Sequence, residues 1–398
     1  MRHHLFATFA SALALLCIAV PCGAQNESQD EQIAKKLIGQ VLGIKHGDVV
    51  VIVANPTSVN LSEDIATEAT AVGAFPIISM GSNRMNRLYY ERVPARFDSE
   101  QPKAVLELAR IADEIISIDL PADPSVIAGV PASRIAAVTS AGNAFTDYVL
   151  KRGVPVVTVG NGLLPSGPTA KQFGVGEDVL ATLFWTGMNA DYAQLHRDTT
   201  AVSKIAAGAH AVHITAPNGT DFTFATRAPA AQINDGVVSA ADRTHGGTAV
   251  EKQLPAGDVF FLPQPGSANG TVVFGSARYN GTLVSGMKVR FAAGKVVAMS
   301  AASGISAVQK QYVAGGTGRD EFSFVDFGTN RSMHVPSAGE WGYGPSMAAG
   351  YVSAGFGFNA NFGGSDRSPF FFGSNIPEAT VTVDGKRLIS AGSLVTTL

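Results

Sequence analysis

The sequence has 398 residues, 46% hydrophobic and 15% charged, with 43 Gly and 20 Pro, a composition that excludes a disordered tail or a fibre and predicts two or three self-sufficient cores. A formal net charge of -3, without any run of Lys or Arg that could track phosphates, excludes nucleic acid as a partner. The two cysteines, Cys17 and Cys22, both fall in a segment read as a secretory signal of 24 residues. Its start is basic (Arg2, His3, His4), residues 5–20 are uncharged and apolar, and Pro21-Cys22-Gly23-Ala24 ends in small residues. The run is shorter than the roughly 20 residues of a permanent span. An uncleaved anchor is the alternative, and Pro21 makes Cys22 a poor lipidation site. Export predicts a secreted or periplasmic mature chain without cysteine and without a membrane span.

Ile33, Leu37, Ile38 and Val41 recur at helical spacing and stop at Gly43. An apolar β-branched run at 49–54 follows; its lack of polar alternation predicts a strand covered on both faces, as in a parallel sheet. A helix through Ile65, Ala69 and Val72, closed by Gly73, leads to a strand at 75–80. A helix at 105–111, a strand at 114–119, a helix at 145–151 and a strand at 154–159 complete an N-terminal open α/β domain, residues 25–200, with helices on both faces of a largely parallel sheet. Beyond 201 the texture becomes short strands, at 211–216, 222–226, 258–261, 271–274, 288–291, 295–299, 322–327, 351–358 and 379–383. Turns such as Asn218-Gly219, Asn280-Gly281 and Asp384-Gly385 separate several of them. The fold class is α/β plus α+β, with a strand-rich C-terminal domain at 201–398. No repeat of 20 to 50 residues recurs there, which argues against a propeller or solenoid.

Generic motifs are scarce. The chain has no Gly-Lys-Ser/Thr phosphate loop, no Gly-x-Ser-x-Gly elbow and no His-Glu-x-x-His helix. Gly160-Asn161-Gly162 lacks the third glycine of a dinucleotide turn, having Pro165 there, and is read as an ordinary strand-to-loop turn.

Longer stretches carry more information. Gly43-Ile44-Lys45-His46-Gly47-Asp48, Gly219-Thr220-Asp221-Phe222-Thr223-Phe224, Leu254-Pro255-Ala256-Gly257-Asp258-Val259-Phe260 and Asn269-Gly270-Thr271-Val272-Val273-Phe274 occur in that order. Gly328-Thr329-Asn330, Gly350-Tyr351-Val352-Ser353 and Gly363-Gly364-Ser365-Asp366-Arg367-Ser368 continue the series. Together they resemble the thermophilic aminopeptidase family of metallopeptidases, of the aminopeptidase T and aminopeptidase S kind. The resemblance implies a homodimer with its active site in the C-terminal domain, where two divalent cations about 4 Å apart activate a bridging water.

Carried over position by position, that resemblance puts Asp258 at the first metal ligand, a shorter carboxylate in place of Glu. Phe324 falls at the second ligand, Ser353 and Phe371 at the two imidazoles, and Gly373 at the last carboxylate. Four of five ligand positions are therefore substituted, and the last histidine of the chain is His334. By strand alternation, Asp320 and Asp326 share the face of Phe324 and Glu321 takes the other. Glu340 with Trp341 sits in a Gly/Pro-rich loop read as a lid. His210 and His213 face opposite sides of a strand, and His196 caps or packs on a helix.

The favoured reading is a secreted aminopeptidase-like protein that has lost its metals, needs no cofactor, and uses a cleft lined by Asp258, Ser353, Phe371 and Gly373 to bind a peptide or small molecule. The alternative is an active hydrolase with a site rebuilt from Asp258, Asp320, Glu321, Asp326, His334 and Glu340. Among Zn, Co, Mn and Mg, so carboxylate-rich a set suits Mn or Mg best. A one-iron ring-opening dioxygenase of the same fold ranks last, because its His-x-Asp pair falls on Phe371 and Gly373.

Overall fold

A computed structural model describes residues 27–121, 123, 126–357 and 370–395. The expected signal segment, with Cys17 and Cys22, and most of the 363–373 motif lie outside these. The chain begins with α1 (Gln29–Lys35), β1 (Val49–Ala54), α2 (Val59–Ala71), β2 (Phe75–Met80), α3 (Asn83–Arg92) and α4 (Lys103–Ile111). It continues through β3 (Glu114–Ile118), α5 (Ala132–Arg152), β4 (Val156–Val159), α6 (Gly167–Phe173), α7 (Glu177–Met188) and α8 (Tyr192–Ala206). Short polar side chains start several of these helices: Ser28 closes a capping box with Glu31, and Asp191 accepts from the N–H groups of Ala193 and Gln194. Gly153 and Gly174 end α5 and α6 in the left-handed conformation that glycine adopts without strain.

Strands then dominate: β5 (Val212–Ala216), β6 (Thr220–Phe224), β7 (Gln232–Asn234), the short α9 (Ala240–His245), β8 (Glu251–Leu254) and β9 (Asp258–Phe261). Next come β10 (Asn269–Val273), β11 (Ala277–Tyr279), β12 (Thr282–Val284), β13 (Lys288–Ala292), β14 (Lys295–Ser300) and α10 (Ile305–Ala314). The described chain closes with β15 (Phe322–Gly328), β16 (Val352–Gly357), β17 (Phe371–Asn375), β18 (Thr380–Val383), β19 (Lys386–Ser390) and β20 (Ser393–Leu394). The strands expected from the sequence are present to within a few residues.

The first sheet runs β2-β1-β3-β4-β8 and is parallel throughout. Its fifth strand, β8, comes from beyond residue 201 and pairs with β4. Two antiparallel sheets, β14-β13-β10-β6-β5-β18-β19-β20 and β17-β16-β15-β9-β7, make up the rest, with a β11-β12 ribbon beside them. The two antiparallel sheets share one phenylalanine-rich core, in which Phe222, Phe261, Phe291, Phe322, Phe327, Phe356 and Phe372 are buried. Another core joins the parallel sheet to α7 and α8, and it also takes Met333, Trp341 and Met347 from the β15–β16 loop.

Alternation decides which face of the smaller antiparallel sheet becomes a site. Val259, Phe261, Val325, Phe327, Val352, Ala354 and Phe372 turn into the phenylalanine core. Their neighbours Asp258, Phe260, Phe324, Asp326, Ser353, Phe371 and Gly373 therefore share the opposite face.

Candidate functional site

That face brings together all four residues of the inferred cleft. Asp258 opens β9 opposite Gly328, and Asp326 stands between Phe260 on β9 and Ser353 on β16. Ser353 pairs with Asn375, and Gly373 pairs with Gly355 on the same two strands. The expected alternation places Asp326 on the face of Phe324. It misplaces Asp320 and Glu321: the register shifts between Phe322 and Phe324, and both acidic residues precede β15. Asp320 instead accepts a hydrogen bond from the Tyr312 hydroxyl, and Glu321 lies 3.4 Å from Lys295.

Aromatic rings fill the centre. Phe324 stacks on Phe260 with centroids 4.7 Å apart and on Phe371 at 5.7 Å, while Tyr343 meets it edge-on at 5.6 Å. The glycines beside Phe324 make this packing feasible. A first side-chain carbon at Gly355 would come within 2.4 Å of the Phe324 ring; one at Gly373 would lie 2.9 Å from the Phe371 ring and 3.3 Å from Phe324. A side chain at 373 would thus crowd the rings around it, at the position where the resemblance requires a carboxylate.

Asp326 is buried and Asp258 partly so, and the two carboxylates are close enough to feel each other. Asp258 accepts from the Asn234 amide at 2.8 Å, and burial pushes its carboxyl up to about 6 against the pull of that bond and of Lys252. Asp326, fully buried, is raised well above the usual carboxylate range, first by burial and then by the charge of Asp258. The Tyr343 hydroxyl donates to its Oδ2 at 2.9 Å; Asp326 Oδ1 and Ser353 Oγ are buried without a hydrogen-bond partner. Asp258 and Asp326 are thus neighbouring carboxylates whose ionisation is opposed by burial and, for Asp326, by the charge of Asp258 as well.

The other candidates lie elsewhere. Glu340 is paired with Arg278 at 2.8 Å. The exposed His334 lines a cavity of about 710 Å³ whose walls do not include Asp258. The six groups of the rebuilt hydrolase site therefore do not converge, and among the described residues no group of three or more His, Cys, Asp or Glu side chains could hold a metal ion. His213 bonds Asp221 at 2.8 Å. His196 does more than cap or pack on its helix, since its Nδ1 lies 2.7 Å from Asp235, which is also 2.9 Å from the buried Lys252. The Gly160-Asn161-Gly162 turn is filled from within the chain, the Gly162 N–H donating to Asp119 at 2.8 Å.

The residues at the five ligand positions do not fit a two-cation centre. They offer one carboxylate, one hydroxyl, two phenyl rings and a hydrogen, and such a centre needs neutral imidazoles and several carboxylates converging on open space. Sequence reasoning missed Phe260 and Tyr343. The first belongs to a strand that reads as uniformly apolar, and the second to a loop without periodicity.

The family described as thermophilic metalloprotease (M29) matches residues 189–331, the stretch carrying β9 and β15. Among solved structures, wild-type AmpT from Thermus thermophilus is similar with a TM-score of 0.65 at 18% identity, over 92% of this chain and 99% of its own. The 2,5-dihydroxypyridine dioxygenase of Pseudomonas putida KT2440 is similar with a TM-score of 0.58 at 14% identity, over 93% of this chain and 99% of its own. Both likenesses are of fold. No curated protein matches the sequence.

Proposed function

We propose, from the premise that the chain is a member of the thermophilic metalloprotease (M29) family, that it is a secreted aminopeptidase-like protein without a two-metal centre, whose C-terminal cleft binds a peptide or small molecule. The observation that carries this reading is the Phe324 ring, packed on Gly355 and Gly373 between Phe260 and Phe371. A hydrated divalent cation placed there would exchange water for phenyl surface, which cannot coordinate it. Export rests on the basic start and the apolar run of the first 24 residues. Among the described residues no helix is long and apolar enough to cross a membrane. A homodimeric state is carried over from the family.

Calorimetric titration of chelator-treated protein with Zn²⁺, Co²⁺ and Mn²⁺ tests the central claim. The expected result is no stoichiometric uptake and no release of N-terminal residues from free-amino peptides by folded protein. Uptake of two ions per chain, accompanied by such release, overturns it.

A further inference from the structure

A cavity of about 340 Å³ at the other end of the molecule is ringed by charged side chains that already pair with one another. The cavity lined by His334 also takes in Arg331, which is already paired with Asp198 at 2.8 Å. The pocket that points to a ligand is a third one, of about 330 Å³, beside the aromatic stack. Gly373 and the partly exposed Tyr343 form part of its wall, the buried Phe173 and Trp341 reach it only at their edges, and Arg278 and Glu340 bring one charge of each sign.

Both charges are held in place. Glu340 is anchored by its own N–H, which donates to the Phe173 carbonyl at 2.8 Å. The neighbouring Trp341 indole donates to the carbonyls of Pro336 and Ala338 at 2.9 and 3.1 Å. Arg278 projects from the β11-β12 ribbon, outside the large sheets, and its Nε lies 2.8 Å from Glu340 Oε2. The two side chains remain 34% and 23% exposed. Both side chains line the pocket, so a ligand within it can compete for the pair.

The sign of the ligand follows from what each competitor would leave behind. An anion that takes Arg278 strands Glu340 in a pocket with aromatic walls, and a cation that takes Glu340 strands Arg278. A molecule bearing a carboxylate and an ammonium a few bonds apart satisfies both, and an apolar body between the charges packs against the exposed Tyr343 ring. The volume lies at the low end for small-molecule sites and limits the occupant to a single small compound.

We infer that this pocket binds a small zwitterion with an apolar body, of the aromatic α-amino acid class, its carboxylate on Arg278 and its ammonium on Glu340. The inference rests on the reading of this region as a binding cleft, but uses neither a metal nor Asp258.

Calorimetry on the mature chain with L-phenylalanine, 2-phenylethylamine and 3-phenylpropanoate tests it. L-Phenylalanine binds one per chain, and each singly charged analogue binds at least about tenfold more weakly. Arg278→Gln and Glu340→Gln each lose at least about tenfold in affinity, Arg278→Lys loses less, and near-ultraviolet circular dichroism shows all three folded. Equal affinity for a singly charged analogue overturns the inference. So does unchanged binding by either Gln variant, or no binding by folded parent protein up to about 10 mM. Metal titration of the same sample separates the two failures: uptake of two ions defeats the metal-free reading, whereas absent amino-acid binding without metal uptake defeats this inference alone.

Discussion

Exchanging Gly373 for aspartate places a carbon 2.9 Å from the Phe371 ring and 3.3 Å from Phe324, closer than packed side chains accommodate without displacement. Overpacking of this kind costs about 1–3 kcal/mol, so Gly373→Asp should lower the urea midpoint without restoring metal uptake. Removing the ring by Phe324→Ala costs about 3–5 kcal/mol by itself. The Phe324→Ala/Gly373→Asp double variant should nevertheless be more stable than the sum of the two losses, because Phe324 is one of the two rings that crowd a side chain at 373. Strict additivity in denaturant melts would show that the two positions are not sterically matched. Glu114 gives a pH signature at the same scale. It is 3% exposed, its Oε1 accepts from Arg243 at 2.7 Å, and its Oε2 has no partner. Burial outweighs the guanidinium and raises its pKa from 4.5 to about 7. The folded state therefore binds this proton more tightly than the unfolded chain does. The associated stability is complete below about 4.5 and is lost as pH rises to about 7. Glu114→Gln should flatten the melting temperature across that window and exceed the parent at pH values above it; an unchanged pH profile in thermal melts would refute this.

Elements that end a sheet carry a different kind of information. β2 is the edge of the parallel sheet and exposes Phe75, Ile78 and Met80. The N–H groups of Phe75 and Gly81 turn toward β1, so alternation puts the backbone of Pro76, Ile78 and Met80 on the free edge. Pro76 has no N–H to offer there, and a missing donor on an apolar edge discourages strand addition by another chain. Pro76→Val should increase self-association beyond that of the parent chain, as read by sedimentation velocity; an unchanged distribution would mean that the edge is protected by other means. Elements whose polarity matches their burial were legible in the sequence: β1 reads as Val-Val-Val-Ile-Val-Ala and is a central parallel strand, and β9 falls at the expected bounds. β8 escaped detection because Glu-Lys-Gln-Leu has no strand signature; its Lys252 is 2% exposed because Asp235 and Asp242 neutralise it and the Ile233 carbonyl accepts from it. Only the last third of α5 was foreseen, since Ser, Thr, Gly and Asn interrupt the apolar spacing of its first two turns and middle. The site face was legible as far as Asp258, Asp326, Ser353, Phe371 and Gly373. The bulge that moves Asp320 away from that face depends on pairing with β16, which local sequence does not encode.

For the whole molecule, the expected division at residue 200 meets a sheet that does not respect it. β8 completes the parallel sheet from the far side of that division, and Met333, Trp341 and Met347 pack into the same core as Ile52, Ile116 and Val157. A fragment ending at residue 200 lacks one edge strand and a share of its apolar cover. It should behave as a collapsed, loosely packed species that binds hydrophobic dyes, and regain a cooperative melt when mixed with the 201–398 fragment. A sharp two-state melt of the first fragment alone would contradict this.

The same strand would set a schedule for the export proposed above. If the chain emerges from a translocation pore amino end first, β1 to β4 arrive on the far side with one flank of β4 open, and its partner follows only after α8 and the β5–β6 hairpin have passed. If the chain is exported as proposed, this lobe is completed only after β8 has crossed, and chaperones that shield bare strand flanks are the helpers it would need during the wait.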